Sequence, residues 1–297
     1  MIVNSANLAS LRVGFSAAYQ GAFAGVQSMR DRVATVIPSS TREQKYGWLG
    51  EIPGMREWIG PRAVQNLAEH DYAIVNKDFE LTVGVRRTDI EDDNLGTYAT
   101  RFAAMGEAAA RHPELLVWNA LKAGDSTLCY DGQNFFDTDH PVLDEAGNVT
   151  TVSNWGGGGG AGWYLLHTTG VLKPLIFQSR KPATFVSKDR DTDETVFNNN
   201  QFLYGVDYRC NVGYGFWQMA YGSKQTLNAA AYGAARAAMM SVKGDYGKPL
   251  GIVPNLLVVP PSLESAARKI LNSEYATGGE TNEWKGTAEL LVVPWLA

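Results

Sequence analysis

Reactive side chains are scarce in this chain of 297 residues, which carries two cysteines, Cys129 and Cys210, and four histidines, His70, His112, His140 and His167. Two isolated thiols do not make a disulfide framework, so a reducing compartment is expected. The serine-hydrolase elbow G-x-S-x-G is missing, the histidines are scattered, and neither cysteine has a base beside it in sequence. No apolar run is long enough to cross a bilayer, and residues 1–10 lack the basic stretch of a secretory signal, so no membrane partner is expected. Positive charge is also short: 26 Lys and Arg stand against 31 Asp and Glu, a net charge of -5. That balance excludes a broad basic grip on nucleic acid. The glycine run 156–160 is followed by Ala161, Gly162, Trp163 and Tyr164 rather than by Lys-Ser or Lys-Thr. It reads as a flexible loop and not as a phosphate cradle.

Apolar and aromatic residues are plentiful. Hydrophobic residues make up 45% of the chain, enough for a sizeable core, and eight Trp and thirteen Tyr are available for the core or for buried interfaces. The stretch 41–124 organises the rest. Its first part, with glycines at 47, 50, 54 and 60, reads as an extended hairpin-like loop whose return run alternates Phe79, Leu81, Val83 and Val85 against Glu80, Thr82, Arg86 and Thr88. Trp48, Ile52, Met55 and Trp58 would form a large apolar patch on an isolated chain, with Arg56, Glu57 and Arg62 among them as mixed charges; such patches mark interaction sites. Asn94 and Thr97 are cap candidates for a helix running through Tyr98, Phe102, Met105 and Ala109 to a stop at Gly124. Pro113 is expected to kink that helix or restart it. Ahead of the loop, Leu8, Leu11, Phe15, Tyr19, Phe23 and Val26 recur at helical spacing among small residues.

The string CYDGQNFFDTDHPV holds the most tempting chemistry. Asp131, Asp137, Asp139 and His140 lie within ten residues, and converging carboxylates with an imidazole suit a metal or a hydrolytic site. No second His or Cys stands at a recognised spacing, and Asp-Gly and His-Pro are ordinary turn chemistry, so a capped turn is favoured. A hydrolase centred on Asp137, Asp139 and His140 is kept as the alternative function. Beyond it, 163–187 reads as two strands joined by a basic turn at Arg180 and Lys181, and 202–221 as a bent strand or strand pair. An alanine-rich helix over 225–241, the strand IVPNLLVVP, a helix opened by Pro261 and the strand AELLVVPW complete a compact α/β unit.

The strings STREQKYGWLGEIPGMREWIG, RRTDIEDDNLGTY and CYDGQNFFDTDHPV together resemble the major head (capsid) subunit of Mu-like tailed phages, and the resemblance runs from the first helix to the closing LLVVPWLA. It implies the α+β Hong Kong 97-type capsid fold: an N-terminal arm (1–40), an extended hairpin loop (41–93), a peripheral domain with a spine helix (94–224) and an axial domain (225–297). Strands at 163–221 precede the axial unit, so a rearranged strand order is expected. The resemblance further implies hexamers and pentamers of the chain in an icosahedral shell enclosing double-stranded DNA, with no catalytic task, cofactor or metal. Intersubunit contacts would come from the loop residues Trp48, Ile52, Met55, Arg56, Glu57, Trp58 and Arg62 and from the arm residues Leu8, Leu11, Phe15 and Tyr19. Scaffold and portal proteins, and a decoration protein, are expected partners, with DNA contacted only non-specifically. Synthesis in the host bacterial cytoplasm and residence in the virion follow. Lys45 and Lys77 match no isopeptide-crosslinking motif, so a noncovalent shell is expected.

Overall fold

The structure is a computed structural model that describes residues 2–47, 49, 71–92, 95–190, 192–276 and 278–297. Trp48, Ile52, Met55, Arg56, Glu57, Trp58, Arg62, His70 and Asn94 lie outside the described residues.

Helix α1 (Ser5–Gly25) opens on Asn4, whose side chain accepts from the Asn7 backbone N–H. Strands β1 (Ala34–Pro38), β2 (Glu43–Lys45), β3 (Ala73–Val75) and β4 (Lys77–Arg86) follow, then the short helix α2 (Arg87–Glu91) and the long helix α3 (Gly96–Lys122). Next come β5 (His140–Leu143), β6 (Val149–Val152), β7 (Trp155–Gly158), β8 (Trp163–Leu166) and β9 (Leu175–Lys188). The one-turn helix α4 (Glu194–Asn199) leads into β10 (Gln201–Tyr214) and β11 (Ala220–Lys224). The chain closes with α5 (Ala229–Ser241), β12 (Leu256–Val259), α6 (Glu264–Leu271) and β13 (Glu289–Val292).

Two sheets carry the architecture. One has the order β1-β9-β10-β4, and the other the order β13-β12-β8-β11-β7. The second is sandwiched, and its sequence alternates accordingly. Trp163, Leu165, Leu257 and Val259 face a core shared with Tyr232, Met239, Ile270 and Leu271 of α5 and α6. Tyr164, Leu166, Leu256 and Val258 face the opposite core, with Val117, Trp118 and Leu121 of α3. Burial of every residue of β12 explains its unbroken apolar run.

Helix α3 and strand β10 join this core to a third one. Tyr98, Phe102, Met105 and Ala109 of α3 pack with Leu8, Phe15 and Tyr19 of α1 and with Phe202, Tyr204 and Val206 of β10. The second half of α3 and the far end of β10 enter the core around the five-stranded sheet. Helix α3 is therefore a spine spanning both cores.

The structure corrects several sequence expectations. Pro113 does not restart α3, which is continuous through it. Its missing N–H costs one helical hydrogen bond, and the cost is met by packing on both sides of the helix. The run from Phe79 is not the return arm of a two-stranded ribbon: β4 pairs with β10, and the ribbon at the loop base is β2 with β3. The strand stops at Arg86, where 87–91 turns helical, and Leu81 points outward. The helix cap is Leu95, and Thr97 lies inside the helix. Arg180 and Lys181 make no turn, because β9 runs straight through them; the register against β10 shifts at Arg209, opposite Lys181, which leaves Pro182 unpaired. Strands β7, β8 and β11 share a sheet with β12 and β13, so that sheet joins segments on both sides of residue 224.

Candidate assembly surfaces and the Cys129–Asp131–His140 cluster

The loop that begins after β2 is anchored by a buried polar network. Gln178 of β9 is fully buried and accepts from the Tyr46 hydroxyl at 2.7 Å. Its amide nitrogen donates to the Ile74 carbonyl at 3.0 Å and to the Asn76 side-chain oxygen at 2.8 Å. The Asn76 amide in turn donates to Ser39 Oγ at 3.1 Å and to the Thr41 carbonyl at 2.8 Å. Both ends of the loop are thus tied to the four-stranded sheet through groups that each have a partner, as burial demands. Burial, with the neighbouring Tyr72 charge adding to it, pushes the Tyr46 hydroxyl up to about 12.

The N-terminal helix departs from expectation. Leu8, Phe15 and Tyr19 are buried against their own chain, and Phe15 stacks on Phe102 with ring centroids 4.2 Å apart. Leu11 packs partly against the same core. The face assigned to a neighbouring copy is filled intramolecularly, because the helical stripe that reads as sticky in sequence is the stripe that α3 and β10 need. Gly106 permits the approach: a Cβ there would collide with the Tyr19 carbonyl and lie 3.1 Å from the Phe23 nitrogen. Val13, on the other side of α1, stays 67% exposed.

The segment after α3 folds into tight turns. Asp137, one member of the expected carboxylate group, accepts from the backbone N–H of Asn134 and of Thr138 and so serves as a turn cap. Asp139 is exposed. His140 is fully buried, stacked on Trp217 at 4.0 Å and 8°. Its Nδ1 meets Asp131 Oδ2 at 2.7 Å, and its Nε2 meets Asn154 Oδ1 at 3.2 Å. The Cys129 thiol donates to Asp131 Oδ1 at 3.1 Å. The structure therefore assembles Cys129, Asp131 and His140, and leaves Asp137 and Asp139 out. Sequence reasoning missed Cys129 because His140 returns to it only after the chain passes the left-handed turn at Gly132, φ +84°, which no local motif signals. Burial raises the Asp131 carboxyl, but hydrogen bonds from His140 and Cys129 outweigh it and hold the group below the usual range. Burial and the adjacent Asp131 charge push the Cys129 thiol well up. A carboxylate clamped by donors and a reluctant thiol make a poor hydrolytic centre.

The other described histidines stand apart. His112 abuts the Phe79 ring at 4.1 Å, and His167 Nδ1 contacts the Val253 carbonyl at 2.7 Å. Among the described residues no helix is long and apolar enough to span a membrane.

A spine helix bridging two sheets and a loop anchored at both its ends frame the fold. The arrangement matches solved capsids of bacteriophage JBD30. The procapsid chain aligns with a TM-score of 0.85 at 46% identity, covering 99% of this chain and 100% of that one. The capsid chain aligns with a TM-score of 0.79 at 36% identity, covering all of both. The class is the Hong Kong 97-type capsid protein. The profile of the Mu-like prophage major head subunit gpT family matches residues 8–296, and the chain belongs to that family. It is 43% identical to the major capsid protein of Escherichia phage Mu, over the full length of both chains. It is 45% identical to the Mu-like prophage FluMu major head subunit of Haemophilus influenzae, over 89% of this chain and 88% of the relative. The chain is a structural capsid protein and a component of a phage virion, not an enzyme.

Proposed function

We propose that copies of this chain form hexamers and pentamers and tile an icosahedral shell around double-stranded DNA. The observation that carries the reading is the anchored loop base, where Tyr46, Asn76 and Gln178 hold both ends of the excursion, with 25 residues between Tyr46 and Tyr72. An anchor of that strength suits a segment that bears load from a neighbour. The loop residues Trp48, Ile52, Met55, Arg56, Glu57, Trp58 and Arg62 are our proposed contacts, as is the outward side of α1 around Val13. The division into arm (1–40), loop (41–93), peripheral domain (94–224) and axial domain (225–297) is proposed as a functional one. The five-stranded sheet, which takes strands from both the peripheral and the axial segment, would support the contacts around the capsomer axes. Many modest interfaces acting together give a closed shell far more stability than any one of them.

Scaffold and portal proteins are proposed partners during assembly in the host bacterial cytoplasm. A JBD30 capsid decorated with minor capsid protein trimers, whose chain aligns at 37% identity with a TM-score of 0.78, supports a decoration partner here too. The acidic balance of the chain favours only non-specific contact with the enclosed DNA. Sedimentation velocity of the purified chain tests the reading: fast-sedimenting closed particles or capsomers are expected, and a chain that stays monomeric at all concentrations and salt conditions contradicts it.

A further inference from the structure

We propose that Cys129, Asp131 and His140 form a structural site for one zinc-class divalent cation, a role separate from shell geometry. The thiol sulfur, a carboxylate oxygen and an imidazole nitrogen all lie within 4.8 Å of one another. Together they are the mixed soft and hard donor set that Zn²⁺ accepts.

Hydrogen-bond bookkeeping fixes the imidazole. The Asn154 amide nitrogen donates to the Phe135 carbonyl at 2.8 Å and to the Trp217 carbonyl at 3.3 Å, while Asn154 Oδ1 accepts from the Asp137 N–H at 2.9 Å. The oxygen of Asn154 therefore faces His140 Nε2, and that nitrogen carries a proton. Metal-bound histidines are oriented in this way, with the remote N–H donated to a fixed oxygen. Nδ1 is left pointing at Asp131 Oδ2, 2.7 Å away, so that the ring nitrogen and the carboxylate face one shared position.

The cluster is enclosed. Its His140 is fully buried and the Asp131 side chain is 6% exposed. Zinc bonds of about 2.3 Å to sulfur and about 2.0–2.1 Å to nitrogen would need the Asp131 carboxylate to retreat by roughly half an ångström. The Asn134 carbonyl, 4.0 Å from the Cys129 sulfur, supplies a nearby oxygen for a fourth position. Binding expels the thiol proton of Cys129, so affinity rises with pH. The cation would staple the turn at 129–134 to the start of β5, in the segment that carries the chain from the spine helix toward the five-stranded sheet.

The test uses the full chain, purified and dialysed against metal-free buffer, with Zn²⁺ and Co²⁺ as probes. Elemental analysis after Zn²⁺ loading is expected to find one equivalent per chain. Co²⁺ is expected to give a thiolate charge-transfer band that Cys129→Ser abolishes and Asp139→Asn retains. Thermal unfolding of the wild type is expected to shift upward with Zn²⁺ and return on chelation. Less than about a tenth of an equivalent bound by folded wild-type protein, with no thiolate band and no thermal shift, would overturn the site and leave a hydrogen-bonded pair. The wild-type measurements decide the matter even if the Cys129 variant fails to fold.

Discussion

Glu114, in the middle of the spine helix, accepts the backbone N–H of Arg30 through both oxygens, at 3.2 and 3.0 Å. The same buried carboxylate accepts from the Met29 N–H, the Ser28 hydroxyl and, one helical turn on, the Trp118 indole N–H. It ends the N-terminal segment on the spine as a side-chain cap would, with the cluster of N–H donors supplying the positive end. The Arg30 guanidinium instead lies over the Phe177 ring at 4.1 Å. Glu114→Ala leaves several buried donors without a partner and should cost about 3 kcal/mol of stability in urea unfolding. Glu114→Gln, which keeps an acceptor, should cost less.

Gly106 sets how closely α1 can lie on α3, because any side chain there meets the α1 backbone. Gly106→Val should push the helices apart and destabilise the subunit by about 1–3 kcal/mol, with faster hydrogen exchange in α1 than in β12. Equal exchange in wild type and variant would show that the close approach does not hold the arm.

The elements legible in sequence were those whose pattern matches one environment along their length. Tyr98, Phe102, Met105 and Ala109 announced the spine, and IVPNLLVVP announced a strand buried on both faces. The strand pairings were not legible, since β4 and β10 meet across more than a hundred residues. Arg180 and Lys181 suggested a turn, but β9 continues through them and the irregularity is a register shift at Arg209. Leu8, Phe15 and Tyr19 read equally well as an interface or as a core, and only the position of Phe102 decides. For the cluster, Asp131 and His140 were visible as candidates, whereas Cys129 and Asn154 enter through turns and a distant strand end.

The Tyr46 hydroxyl gives the loop base a pH dependence. Its folded value, pushed to about 12, lies above the unfolded value of about 10, so the folded state holds the proton more tightly. Stability from this group is complete below about pH 10 and falls as pH rises toward 12. Tyr46→Phe should remove this share of the alkaline loss while weakening the base at neutral pH by about 1 kcal/mol, since Gln178 loses a donor. Alkaline unfolding curves of the two proteins check both signs.

Trp48→Ala and Trp58→Ala should lower the yield of particles while leaving subunit unfolding within about 0.5 kcal/mol of wild type. Loss of folding in step with loss of assembly would place these rings in the core of the subunit.

Electron microscopy of the purified recombinant chain bears most directly on the claim that it completes itself by tiling with identical copies. Closed shells built of six-fold and five-fold clusters, each loop lying on a neighbouring subunit, are the expected result. A dispersed monomer whose loop folds back on its own sheets would contradict the account.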